Sequence, residues 1–495
     1  MSIATEIERL QNAKADIKEA IENKGVSVGS GLLDTYANKI NQIKTGITPS
    51  GTLNITKNGT YDVTTKEKAV VDVPSSSSGP IIEGSGKYEV RFVDYDGTLL
   101  KIQYVNEGGS ATPPTTPTHD RLTFVEWNRE FTNITHDLDV GATYKTKSGN
   151  TELYIKVTQE TGRTITLNIY KKTASGAINI NWGDNKTSTN TATSTGVKVF
   201  THTYSNYGNF IIQIATTAEY GLGGNTTSAI VVMGNNEDRT YKALVKCYCS
   251  ENVTQFYNYC FFNNTELEEC TYSDITIFGQ YVFCGCKIKA IMIPSIVTQT
   301  GTRLATNCTD LEYFIMPSKT YTMSQPVTIG SKVKKFIYPE NYNPSSVSYV
   351  SWYNGIEHIW HKKPTASSYT ISSTAAQYSP LLTKFPIYNG LTKLSSTYCF
   401  AGTSIRKIAF PPTLTEIGNY AFYYDTNLTD VYMYPTTPPT LGGSTVFANT
   451  NTSCKVHVYP ECLEAYQTAT NWSSSTLKAK LVGDLEGEFE DGYCE

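Results

Sequence analysis

Charge is what this chain of 495 residues has least of: Asp, Glu, Lys and Arg together make up 17% of it, against about a quarter in an ordinary globular protein. The net formal charge is −4, and Lys and Arg nowhere cluster. A nucleic-acid binder needs a basic stripe to displace counterions, so nucleic acid is not an expected partner. Long apolar runs are missing as well. No stretch approaches the roughly 18 residues that a spanning helix needs, so membrane insertion is not expected. The opening Met1-Ser-Ile-Ala-Thr-Glu-Ile-Glu-Arg-Leu has neither a basic start nor an apolar stretch, which argues against a Sec export signal. His-Glu-x-x-His and the phosphate-binding glycine loop are both absent. The expectation is therefore no enzyme, no catalytic residue, no cofactor and no metal.

What is abundant is Ser, Thr, Asn, Gly and Tyr, an uncharged hydroxyl-rich composition that suits β-structure on an exposed surface. The length suggests three or four domains. Eleven cysteines are an odd number, and seven lie between Cys247 and Cys308. Cys247-Tyr-Cys249 and Cys284-Gly-Cys286, with Cys260, Cys270 and Cys308, could in principle hold zinc, but Cys-x-x-Cys is the commoner spacing. Buried, reduced thiols are the preferred reading.

The chain is organised around a repeat between residues 241 and 462. Each copy opens on an aromatic pair, as in Tyr259-Cys-Phe261, Tyr281-Val-Phe283, Tyr398-Cys-Phe400 and Tyr420-Ala-Phe422. It then runs through a polar cluster and an apolar anchor to a β-type run that stops at Pro294, Pro317, Pro339, Pro411 or Pro435. Phe261 to Phe283 and Phe400 to Phe422 are both steps of 22 residues. A fixed step in the low twenties, read as one strand and one turn per copy, is the mark of a leucine-rich-type solenoid. Proline fits the strand ends because it has no N–H with which to extend a ladder. The copies around Thr320 to Ser331 and Asn341 to Trp352 are degenerate. These residues resemble the BspA-like leucine-rich repeats of bacterial surface and phage proteins, a resemblance that implies architecture and not chemistry.

The remaining segments read as follows. Residues 1–45 form a helical module, with Ile3, Ile7, Leu10, Ile17 and Ile21 along one seam and Leu32, Leu33, Tyr36 and Ile40 on a second helix. A self-packed helical hairpin and an oligomerising coiled coil both fit. The run from Ala4 to Ile40 resembles an N-terminal module of phage tail and baseplate proteins. Residues 46–74 are a small β module in which Asn58-Gly59, between alternating apolar positions, signals a hairpin; this too resembles phage tail proteins. Residues 75–86 are a Ser/Gly linker.

Residues 87–147 alternate strands with an Asp96-Gly97 turn and a Pro-rich loop, and resemble the β-grasp-like repeats of Listeria and Bacteroides surface proteins. Asp94-Tyr-Asp96-Gly97-Thr-Leu also matches the nucleophile motif of haloacid-dehalogenase-type phosphatases. That chemistry needs a doubly wound sheet, and the chain supplies no alternating helices to build one. Residues 151–217 carry Trp182-Gly-Asp184, His202-Thr-Tyr204 and Tyr207-Gly-Asn-Phe210, and so resemble polycystic-kidney-disease-type (PKD-like) β-sandwiches. Trp182 and Tyr204 are expected in the core, with Asp184 capping a turn. Asn185 stands where that family usually has glycine and also tolerates positive φ. Residues 463–495 are read as a cap helix, Leu463 to Trp472, followed by a loose acidic tail from Leu485.

The fold class expected is thus mainly β and multidomain: short N-terminal helices, small β modules, a β-sandwich and a C-terminal leucine-rich-repeat-type solenoid. The resemblances imply a structural phage tail or baseplate protein, made in the host cytoplasm and carried on the virion. Its partners would be other tail proteins and a host cell-surface glycan or protein, and a homo-oligomer is expected. A secreted bacterial adhesin and a tail-associated glycan-cleaving enzyme are the alternatives. Host binding is placed on Tyr432, Tyr434, His457 and Tyr459. Strand alternation turns these outward while Ile408, Phe410, Val431, Met433, Val456 and Val458 point to the core. Cover of that patch by another subunit or by the cap helix is the competing reading.

Overall fold

The computed structural model describes residues 52–55, 68–71, 87–224, 231–233, 241–319, 321–323, 331–339, 346–347, 355–372, 376–395 and 397–494. The two N-terminal helices, the Asn58-Gly59 turn and the Ser/Gly linker lie outside these residues, as do most of the two degenerate repeats. The chain divides into two compact units, 1–77 and 78–495. Described residues of the first are two strands, β1 (Thr52–Ile55) and β2 (Lys68–Val71), which pair in parallel with Thr52 opposite Lys68.

The second unit is mainly β. Its first element is a four-stranded mixed sheet of β3 (Lys87–Val93), β4 (Leu99–Asn106), β5 (Leu122–Trp127) and β6 (Leu138–Thr146), in the order β4-β3-β6-β5. β3 turns into β4 through Asp96-Gly97, with Gly97 at φ 89° and the Thr98 N–H donating to Asp96 Oδ1 at 2.8 Å. A side chain on Gly97 would need both that left-handed backbone and space occupied by Lys289.

A sandwich follows. One layer is built on β7 (Thr151–Val157), β9 (Ile178–Asn181), β10 (Thr187–Asn190) and β12 (Gly208–Ala215). The other is built on β8 (Thr164–Lys171), β11 (Gly196–Thr203), β13 (Tyr220–Leu222) and β14 (Val231–Met233). Trp182 and Tyr204 are buried between the layers, and the Tyr204 hydroxyl donates to the Trp182 carbonyl at 2.8 Å. Asp184 caps its turn by accepting the Lys186 N–H, and Asn185 sits at φ 65°.

Both layers run on into the solenoid without a break. β7 pairs antiparallel with β15 (Leu244–Tyr248), which pairs in parallel with β17 (Glu269–Thr271). β13 pairs in parallel with β16 (Val253–Phe256), and β16 with β18 (Ile277–Phe278). The sandwich therefore occupies what would otherwise be the open edges of the first coil. One apolar core extends from Leu153 to Cys494.

Each coil contributes two strands, not the single one expected from sequence. The first row holds Ala290–Met292, Tyr313–Ile315, Lys335–Ile337, His358–Trp360, Phe385–Ile387, Lys407–Phe410, Asp430–Met433 and Lys455–Val458. Several of these stop just short of the prolines. The second row is often only two residues long, as in Gln299–Thr300, Glu416–Ile417 and Thr440–Leu441. Threonine hydroxyls add bonds between its rungs, Thr276 to the Thr254 carbonyl at 3.0 Å and Thr298 to the Thr276 carbonyl at 2.9 Å.

The turns between rows pass twice through left-handed backbone, at positions four residues apart. These are Tyr259 and Asn263, Tyr281 and Gly285, Arg303 and Asn307, Tyr398 and Gly402, Tyr420 and Tyr424. An L-residue there costs about 1–2 kcal/mol, so a bulky tyrosine persists only where its surroundings hold it. Backbone bonds to the next coil do so: Tyr259 N–H to the Gln280 carbonyl at 2.8 Å, Tyr281 N–H to that of Thr302 at 3.1 Å. Ring stacking adds to it, with Tyr259 on Tyr281 at 5.0 Å and Tyr398 on Tyr420 at 5.1 Å.

Candidate functional site

The outer side of the first strand row is where sequence reasoning put the binding patch. The alternation has the expected phase. Ile408, Phe410, Val431, Met433, Val456 and Val458 are all 0% exposed in the solenoid core, and Tyr432, Tyr434, His457 and Tyr459 lie on the opposite side of their strands. Tyr432 stacks on His457 at 4.7 Å, and Tyr434 meets Tyr459 edge-on at 6.1 Å.

The patch is not open, however. Residues 484–494, expected to be a loose tail, fold back over it. Leu485 and Phe489 pack on Ala409 and Tyr434, leaving Tyr434 1% exposed. The Tyr459 hydroxyl donates to the Gly487 carbonyl at 2.7 Å. His457 is clamped, Nδ1 2.7 Å from Asp484 Oδ1 and Nε2 3.0 Å from Asp430 Oδ1. The terminal strand Gly492–Cys494 then pairs antiparallel with Phe385–Ile387, and Cys494 is buried. Burial of Leu485, Phe489 and Cys494 against an apolar row explains why this acidic segment is ordered.

The same row is covered further back by the four-stranded sheet. Val93 packs on Ala290, Met292 and Ile315, while Leu122, Ala142 and Tyr144 pack on Tyr248. Ile337 and Trp360 complete the sheet's own core with Val90, Phe92 and Val140. Asn128 Nδ2 donates to the carbonyls of Ile293 (2.9 Å) and Ile315 (3.1 Å), and Arg129 Nη2 to that of Tyr338 (3.0 Å). Lys335 pairs with Glu89 at 2.6 Å. From Tyr248 to Tyr459 the outer face of this row is thus taken up by the chain itself.

Other singled-out residues have structural surroundings. Asp94 is buried, accepts the Tyr95 N–H at 2.8 Å and faces His119 Nε2 at 3.0 Å, at the start of the antiparallel β3–β4 turn. Asp184 lies 2.8 Å from His202, whose ring stacks on Trp182. All eleven cysteines are buried. Cys286 and Cys308 donate to carbonyls of the preceding coil, those of Phe261 and Phe283. Cys247 and Cys249 lie 3.9 Å apart, with Cys270 opposite Cys247 on the next strand.

Sequence reasoning missed an aromatic edge formed where the two left-handed columns meet solvent. In the C-terminal coils it comprises Tyr378, Tyr398, Tyr420, Tyr423 and Tyr424. Tyr378 is 38% exposed and Tyr424 55%. Tyr398 links them, its ring 6.4 Å from Tyr378 and 6.1 Å from Tyr423, which meets Tyr424 edge-on at 4.4 Å. The four-residue spacing of Tyr398-x-x-x-Gly402 and Tyr420-x-x-x-Tyr424 is the signal that could have found it.

This architecture defines a β-solenoid of leucine-rich-repeat type, sealed at one end by a sandwich. In line with it, residues 240–354 and 352–477 match the BspA type leucine rich repeat region, in six copies. No curated protein matches the chain. Among solved structures, a leucine-rich repeat protein from Bacteroides ovatus aligns at 18% identity over 49% of this chain and 66% of its own, with a TM-score of 0.30. A leucine rich cell surface protein from Faecalibacterium prausnitzii aligns at 14% identity over 55% and 91%, TM-score 0.25. The pneumococcal vaccine antigen PcpA aligns at 11% over 48% and 78%, TM-score 0.20.

Proposed function

We propose that this chain is a structural, non-enzymatic binding protein of a phage tail or baseplate. Residues 1–74 would attach it to other tail proteins, and the β region would meet a glycan or protein of the host cell surface. The resemblance of residues 4–40 and 51–74 to tail-protein modules supports the attachment half. The PKD-like and β-grasp-like resemblances of residues 151–217 and 87–147 suit a body that faces outward. The observation that carries the binding half is the single core from Leu153 to Cys494, with the four-stranded sheet locked onto it by Asn128 and Arg129. A body of that kind presents a preorganised surface, which lowers the entropic cost of association.

A chain beginning at Gly86 tests both halves. It should fold, fail to enter particles, and compete with intact particles for adsorption to host cells. Normal incorporation of that truncation would refute the attachment role, and absence of competition the binding role. The BspA-type match favours a second reading, a bacterial surface adhesin, because such repeats resemble those of surface proteins as well as phage proteins. Finding the chain in the envelope of uninfected cells and not on purified virions would decide for it. Release of reducing sugar from host envelope would instead favour a glycan-cleaving enzyme.

A further inference from the structure

The outer face of the first strand row is occupied by the chain's own residues, so a partner of the C-terminal coils has to be met elsewhere. The aromatic edge stands out there. Tyr378 and Tyr424 occupy the same left-handed position two coils apart, at φ 53° and 61°, and Gly402 holds that position in the coil between. Two rungs of a parallel ladder span about 10 Å, and glycine leaves no side chain in the interval. The Tyr378 ring lies against Gly402, where a Cβ would meet it at 3.4 Å, and Tyr398 links Tyr378 to Tyr423. Backbone bonds between coils fix the arrangement: Tyr378 N–H to the Ala401 carbonyl (2.8 Å), Gly402 N–H to that of Tyr423 (2.9 Å), Tyr424 N–H to that of Ala448 (3.2 Å). Strained aromatics held in place by their neighbours point from geometry to use.

The chemistry of the edge is uncharged. Across residues 376–381, 397–403, 419–427 and 443–452 the single Asp, Glu, Lys, Arg or His is Asp425. It is 1% exposed and accepts the Thr403 N–H and hydroxyl, so it does not face a ligand. What remains outside is phenol, hydroxyl and amide. An anionic polymer would find no counter-charge there, and a basic peptide no acid. A pyranose fits: its C–H face stacks on an aromatic ring while its hydroxyl rim bonds to phenols and amides.

We infer that the edge formed by Tyr378, Tyr398, Tyr423 and Tyr424 around Gly402 is a binding site for a neutral polysaccharide. The inference rests on the reading of the chain as a cell-surface binder and names the surface and ligand class. Because the two outer rings are exposed, they can be replaced without touching the core.

The test is affinity electrophoresis of the full chain through gels containing soluble starch, dextran, mannan, xylan or arabinogalactan, with polygalacturonate as the anionic control. At least one neutral polymer should retard the protein. Tyr378→Ser with Tyr424→Ser should weaken that retardation about tenfold or more. Each change removes one ring contact, worth about 0.5–1.5 kcal/mol, so the melting temperature should fall slightly while the chain stays folded under the conditions of the gel. Tyr207→Ser, which removes an equally exposed tyrosine on the sandwich, should leave it unchanged. No retardation by any neutral polymer, equal retardation of the double variant, or retardation by polygalacturonate alone would each overturn the inference. Binding of the same proteins to bacterial cells separates the two levels. If the intact chain and the double variant bind cells equally, this edge is wrong and the binder reading stands. If the intact chain binds no cells, the binder reading itself fails.

Discussion

His136 lies flat on Trp360, ring centroids 3.5 Å apart and planes 10° from parallel. One residue lies in the loop that joins β5 to β6 of the four-stranded sheet and the other on the outer side of a solenoid strand, so the stack is a direct measure of their docking. Trp360 is 6% exposed. Trp360→Ala should cost about 3–5 kcal/mol, felt first as loosening of the sheet. Hydrogen exchange should show residues 87–147 losing protection before the coils do. Equal loss everywhere would mean that the sheet has no independent docking step.

The same junction should make stability depend on pH. Burial pushes the imidazoles of His358 and His361 down to about 4 from an ordinary 6.5. Asp137 and Asp139 pull His358 upward, but Lys335 and Lys384 oppose them, and Tyr493 covers the ring. The folded chain keeps these rings neutral while the unfolded chain protonates them below 6.5. Stability is therefore full above pH 6.5 and falls between 6.5 and 4, on the order of 3 kcal/mol for each imidazole. Buried Asp425 is displaced upward and contributes with the opposite sign. Comparing the native chain with His358→Gln isolates the histidine term: the variant's urea midpoint should change less over that range. An identical slope would contradict the assignment.

The left-handed tyrosines carry their own prediction. Tyr281 sits at φ 56° and is stacked on Tyr259. Tyr281→Asn keeps a residue that tolerates this backbone and loses the stack, so it should cost about 0.5–1.5 kcal/mol. Tyr281→Val loses the stack and forces a β-branched residue into the same turn, which should cost at least 1 kcal/mol more. Thermal melts of the pair check the order; equal costs would show that the backbone is not strained there.

How far all this was legible in the sequence differs from element to element. The period and phase of the first strand row were legible because a two-residue alternation ending at proline leaves little choice for Ile408, Phe410, Val431 and Met433. The second row was not, since strands as short as Gln299–Thr300 carry no periodicity to read. Nor was the cover over Tyr434. Leu485 and Phe489 are isolated apolar residues among acids and glycine, and only long-range packing gives them a place. Docking of the four-stranded sheet left no trace either, because Asn128 and Arg129 recognise backbone carbonyls, which every residue has.

That cover can be tested chemically. Tyr434 is buried beneath Leu485 and Phe489, so tetranitromethane should modify exposed Tyr104 and Tyr207 and spare Tyr434. Leu485→Asp with Phe489→Ser should free the segment, cost about 2–5 kcal/mol, and bring Tyr434 into the nitrated set seen by mass spectrometry. Nitration of Tyr434 in the unaltered protein would show that the segment does not seal it.

The pairing of Gly492–Cys494 with Phe385–Ile387 also sets how the body carries mechanical load. A pull applied at Cys494 enters the middle of the solenoid, through an antiparallel clasp and the buried Cys494 side chain, and not through the last coil. The coils from Lys407 to Val458 thus hang outside the line of force. They can stay folded, with Tyr420, Tyr423 and Tyr424 in place, while the coils before them, which carry Tyr378, bear the tension.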